Sequence, residues 1–200
     1  MKENMSLANS LIDVDDSILI VIDVQGYFLA KLPAEERELM VKRIVWLTSV
    51  AIKLNVPLVV TAENISELGG VAPSIVEKLV PDTPVFNKMV FGLAEDHEII
   101  SAVKATGRRT AILVGLETDV CIAHSAISLI QRGYRVVVVA DATASPGAVH
   151  AIGLERMRRA GVLVSSVKSL YYEWIRTVDR DKEFLDKYET EIGFPHGVIL

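Results

Sequence analysis

The chain has 200 residues, half of them apolar and 24% charged, which is the balance of one folded domain of ordinary size. Twenty-one Lys and Arg against 26 Asp and Glu leave a net charge of −5, so there is no basic footprint for nucleic acid. A single cysteine excludes an intrachain disulfide and fits a reducing cytoplasm; the polar start, 1–16, lacks the apolar stretch of a signal peptide, and no apolar run is long enough to span a membrane.

In chain order, 17–23 is a continuous apolar run ending in Asp23, the pattern of a strand buried on both faces of a parallel sheet. From 35 to 54, Met40, Ile44, Leu47, Ala51 and Leu54 recur at steps of four and three, one face of a helix that stops at Asn55-Val-Pro57. A second strand is predicted over 57–61, a short helix over 73–79 and a weaker strand over 84–88. Helix 95–106 then ends at Gly107, and a strand follows over 110–115. The same grammar repeats twice: helix 119–132, Gly133 and strand 135–141; helix 148–160, Gly161 and strand 162–167. In each case glycine supplies the positive φ that closes the helix. Repeated βα units of this kind predict an α/β fold, a parallel sheet with helices on both faces joined by right-handed crossovers. All 200 residues read as one domain with its core at about 17–168. The charged stretch 173–191 reads as helix packed on the outside, and the apolar tail 193–200 as either disordered or docked on a neighbouring subunit.

An open parallel sheet binds ligands beyond the carboxyl ends of its strands. The residues at those ends are Asp23-Val-Gln25, Thr61-Ala-Glu63, Lys88, Gly115-Leu-Glu-Thr-Asp-Val-Cys121 and Asp141-Ala-Thr143. A carboxylate, an ammonium and the chain's one thiol therefore project toward one edge. Cys121 lies in the first turn of a helix, where free N–H groups and the dipole favour a thiolate, with Thr118 or Asp119 placed to cap it. A lone cysteine is most often a small buried hydrophobe, a strand-end Asp a loop anchor and a lysine a surface charge. Three such residues at successive strand ends make a more specific pattern than any one of them.

Val21-Ile-Asp23-Val-Gln25, Asn87-Lys88 and Gly115-Leu-Glu-Thr118-Asp-Val-Cys121-Ile resemble the three signatures of the isochorismatase-like cysteine hydrolases, over about 17–168. The resemblance implies a three-layer Rossmann-like sheet of order 3-2-1-4-5-6, which makes the first and fourth strands neighbours. It also implies a triad in which Asp23 accepts the thiol proton and later activates water, Lys88 steadies the charges and Cys121 attacks an electrophilic carbon. A cis Leu116–Glu117 peptide and an oxyanion hole from the backbone N–H groups of Glu117 and Cys121 come with it. Nicotinamidase-like members carry an Asp-x-His pair after the second strand to bind a metal. Here 61–68 read Thr-Ala-Glu-Asn-Ile-Ser-Glu-Leu, with no histidine before His97, so neither a catalytic metal nor another cofactor is expected. Members that cleave a vinyl ether lack the cysteine, which favours a small amide-like or acyl substrate for this chain. Self-association is expected by the same analogy.

Gln25, Tyr27, Phe28, Glu63, Phe91 and His124 lie near the expected mouth as candidate substrate contacts. His124, three residues beyond Cys121, is also placed for a Cys–His dyad, although packing on the sheet is the commoner fate of such a residue. The chief alternative to hydrolysis is a thiol redox protein or sensor using Cys121, for which the chain lacks a resolving cysteine. A nucleotide-binding module is disfavoured, since Asp23 stands where a glycine-rich phosphate loop would follow the first strand.

Overall fold

The apolar runs form strands β1 (Ser17–Ile22), β2 (Leu58–Glu63), β3 (Val85–Lys88), β4 (Thr110–Leu116), β5 (Arg135–Ala144) and β6 (Leu163–Ser165), here described from a computed structural model over residues 10–194. They make one sheet, parallel at every pairing, in the order β3-β2-β1-β4-β5-β6. Nine α-helices accompany it among the described residues: α1 (Gly26–Leu29), α2 (Ala34–Lys53), α3 (Ile65–Leu68), α4 (Pro73–Val76), α5 (His97–Ala105), α6 (Ala123–Gln131), α7 (Val149–Arg159), α8 (Val167–Ile175) and α9 (Val178–Ile192). None of them is long and apolar enough to cross a membrane.

The strands need no polar face because both faces are covered. Leu19 and Val21 join a core with Ile44, Leu47 and Ala51 of α2 and Leu170 and Trp174 of α8. Ile18, Ile20 and Ile22 point the other way, onto Ile99 and Val103 of α5, Ala126 and Leu129 of α6 and Met157 of α7. The alternation of a strand thus feeds two helical layers from one apolar run.

The sheet order puts β1 beside β4, where the crossovers change direction. There the strands approach so closely that a Cβ on Gly115, whose φ is 121°, would lie 1.9 Å from the carbonyl oxygen of Ile22. Only glycine fits that position.

Four expectations need correction. Strand β5 runs on to Ala144 because a register shift after Leu113 lets Gly115 and Leu116 pair with Thr143 and Ala144. Asp141 consequently serves the scaffold: its Oδ1 accepts from the Val167 N–H at 2.8 Å, and its other oxygen faces Arg43. The helix expected over 73–79 keeps regular form only through Val76. Edge strand β6 is three residues long and half-buried. The fourth concerns the C-terminal extension, which is part of the core: Leu170, Tyr171, Trp174 and Ile175 are buried, and the Trp174 indole donates to Ser17 Oγ at 3.0 Å. Charge counting hid this, since α9 is charged on its outer face while α8 is apolar. Of the tail 193–200, only Gly193 and Phe194 fall within the described residues.

Candidate active site

The ends of β1, β2 and β3 and the turn after β4 each deliver one polar side chain to a shared point. Asp23 leaves β1 in the left-handed region, with φ at 52°, a conformation that turns the chain sharply at the sheet edge. Lys88 ends β3 and is in register with Glu63, the last residue of β2. Cys121 sits in a wide π turn, Thr118–Ile122, between β4 and α6. The Leu116–Glu117 peptide at the start of that turn is cis.

Lys88 is the hub. Its Nζ lies 2.9 Å from Asp23 Oδ2, 3.4 Å from Glu63 Oε2 and 3.8 Å from Cys121 Sγ, and it donates to the Val90 carbonyl at 2.6 Å. Asp23 Oδ1 accepts from the Thr61 hydroxyl at 2.8 Å. The Cys121 thiol donates to Glu63 Oε2 at 3.2 Å. The side chains of Asp23 and Lys88 are sealed from solvent, whereas that of Glu63 is 19% exposed.

Burial raises the Asp23 carboxyl above its ordinary range, with the Lys88 ammonium opposing it, so the carboxylate is a stronger base than one in water. Burial would strip Lys88 of its proton, but the charges of Asp23, Cys121 and Glu63 hold it as the ammonium and raise its pKa. Burial, and then the charge of Asp23, push the Cys121 thiol up, and Lys88 compensates only in part. Burial thus outweighs the helix-start influence that favours a thiolate, in keeping with an Asp23 that takes the thiol proton. The capping expectation also fails, because Glu117 occupies the helix boundary without a side-chain cap. Asp119 instead accepts from the Ser145 hydroxyl at 2.6 Å.

The candidate substrate contacts divide. Glu63 belongs at the centre, in direct contact with the sulfur. Gln25 is buried with its amide fully used: Nε2 donates to the carbonyls of Glu63 and Gly69 at 2.8 and 2.6 Å, and Oε1 accepts the Glu63 N–H at 2.7 Å. It clamps Glu63, with both of its N–H donors spent on backbone carbonyls. Phe28 is buried in the α2-side core and likewise leaves the list. Tyr27 stays exposed, and the Lys31 Nζ that sits 4.7 Å over its ring bonds Glu117 Oε1 at 2.9 Å. Phe91 is exposed with its edge against the His124 ring, and its carbonyl lies 3.5 Å from Lys88 Nζ. His124 itself is exposed, turned to Phe91 on the helix surface and away from Cys121, so the dyad is not formed. His150 contacts the turn from behind through the Thr118 hydroxyl, 2.8 Å from Nδ1.

Asp23, Glu63 and Cys121 are also the one cluster of metal-type ligands among the described residues, their donor atoms within 4.8 Å of one another. The ammonium of Lys88 already stands among those donors, so a cation there would have to compete with a fixed positive charge.

Comparison with known proteins agrees with this architecture. Residues 17–169 match the isochorismatase domain model. The secreted isochorismatase effector Isc1 of Phytophthora sojae is 34% identical over 164 residues, 78% of this chain and 76% of that one. The probable hydrolase YcaC of Escherichia coli is 30% identical over 133 residues, 66% of this chain and 64% of the relative. Among solved structures, YcaC from Pseudomonas aeruginosa with hexane-2,5-diol and covalent acrylamide superposes with a TM-score of 0.80 at 25% identity, covering 88% of both chains. With the domain match spanning three-quarters of its length, the chain belongs to the isochorismatase family of hydrolases.

Proposed function

We propose that the chain hydrolyses a small amide-like or related acyl substrate through a covalent acyl-enzyme on Cys121. The observation that carries this reading is the placement of the Cys121 sulfur 3.8 Å from a fixed ammonium and within 4.8 Å of the Asp23 carboxylate at the carboxyl edge of the sheet. Asp23 takes the thiol proton as Sγ attacks the acyl carbon, and passes it to the departing nitrogen. Lys88 keeps its charge throughout, offsetting the thiolate and holding Asp23 in place. The N–H groups of Glu117 and Cys121 receive the developing oxyanion, where one donor is worth roughly 3–4 kcal/mol of barrier. No step calls for a metal. The covalent acrylamide of the Pseudomonas aeruginosa relative supports a reactive group in this fold. A redox role for Cys121 is disfavoured because the chain has no second cysteine to resolve an oxidised sulfur.

The E. coli YcaC structure is described as an octameric hydrolase of unknown specificity, and we extend self-association to this chain, with light scattering as the check. The function itself is tested by screening small amides and esters with the wild-type chain beside Cys121→Ala. Turnover that Cys121→Ala abolishes is the expected result. Turnover that survives the substitution refutes the covalent route.

A further inference from the structure

The two carboxylates at the sulfur are not equivalent. Asp23 is sealed, with one oxygen held by the Thr61 hydroxyl and the other by the Lys88 ammonium. Glu63 is the carboxylate that reaches solvent and the sulfur at once, its side chain partly exposed and its Oε2 at 3.2 Å from Sγ. Its backbone is pinned on both sides by the buried amide of Gln25, and its neighbour across the sheet is Lys88. A residue that merely lined a pocket would not need a buried glutamine to fix it.

We propose that Glu63, resting on the hydrolase reading above, is the catalytic base of the second half-reaction, the release of the acyl group from Cys121. In the first half-reaction the thiol proton goes to Asp23 and leaves on the amine, so the acyl-enzyme forms with Glu63 ionised. The hydrolytic water arrives from the solvent side, where the Glu63 side chain is partly exposed and that of Asp23 is not. Glu63 takes one proton from that water while its oxygen attacks the thioester carbon. The C–S bond breaks with its electron pair on sulfur, and the Glu63 proton returns across the 3.2 Å contact to Cys121. Amide and water have then become acid and amine, and every group is restored. This moves the water step from Asp23, where the family resemblance put it, to Glu63. Gln25 is a positioning residue that holds Glu63 at the sulfur.

The experiment uses p-nitrophenyl acetate, whose leaving group departs without a proton. Wild-type chain is expected to give a burst of nitrophenolate followed by steady turnover. Glu63→Gln should keep the burst, lose about 10²-fold or more in the steady rate, and accumulate an acetyl adduct on Cys121 in intact-mass spectra. Glu63→Ala should recover steady turnover when formate is added, which a purely structural role would not allow. A Glu63→Gln steady rate equal to wild type overturns the assignment while leaving the hydrolase reading intact, and so does loss of its burst. Absence of any burst or adduct in the wild-type chain overturns both.

Discussion

Lys88 Nζ and Asp23 Oδ2 meet at 2.9 Å with neither side chain exposed to solvent, which makes them a buried ion pair between β3 and β1, two strands apart in the sheet. Such a pair is a poor investment for stability, because desolvating both charges offsets most of their attraction. Its value lies in holding an ammonium and a carboxylate beside one sulfur.

Lys88→Met therefore leaves a buried carboxylate without its counter-ion, which should cost about 3–5 kcal/mol and abolish turnover. Adding Asp23→Asn to that variant removes the orphan charge, so the double variant should be the more stable of the two, though still inactive. Urea unfolding of the two single variants and the double variant measures this coupling. Additive losses would mean that the two groups do not sense each other, contrary to the 2.9 Å contact.

Alkylation of Cys121 reports its protonation directly. The thiol is pushed above its ordinary value near 9.0, so the rate with iodoacetamide should climb about tenfold per pH unit and reach no plateau below pH 9. Asp23→Asn removes a negative charge that disfavours the thiolate and leaves Lys88 in place. That variant should alkylate faster than wild type at pH 8 while turning over no amide, whose nitrogen needs the Asp23 proton to depart, separating thiol reactivity from catalysis. A wild-type plateau near neutral pH would mean a resting thiolate and would remove the need for Asp23 as its base.

Much of this site was legible because a parallel sheet converts linear order into proximity. Once β1 and β4 are neighbours, Asp23 and the turn bearing Cys121 must meet, and Lys88 closes the strand expected over 84–88. What stayed hidden depends on side-chain direction and local electrostatics. Glu63 and Gln25 were both near the mouth in sequence, but nothing in spacing says that one contacts sulfur while the other spends its amide on backbone. The helix-terminus argument for Cys121 likewise leaves out desolvation, the largest influence on its thiol. His124 illustrates the limit of helical spacing: three residues past Cys121 it turns outward, because a π turn rather than a regular helical turn leads into α6.

Tyr171 tests whether the C-terminal extension contributes to folding as its burial requires. Its ring packs between Trp46 and Phe184, tying α2, α8 and α9 together, and its hydroxyl donates to Asp181 at 2.6 Å. Burial and that carboxylate raise the phenol above its ordinary value of 10.0, so the folded chain holds the proton after the unfolded chain has released it. The resulting stability is fully present below pH 10 and is lost as pH rises through the folded value, because there the unfolded state binds fewer protons than the native state. Tyr171→Phe should lose about 1 kcal/mol at neutral pH with the hydrogen bond, and it should show a shallower decline above pH 10 than wild type. Tyr134, Tyr172 and Lys88 are also raised but remain in both chains, so the difference between the two pH profiles isolates Tyr171. Thermal melts from pH 7 to 11 measure it. Identical alkaline limbs would place Tyr171 in equal surroundings in both states, which its burial between three helices forbids.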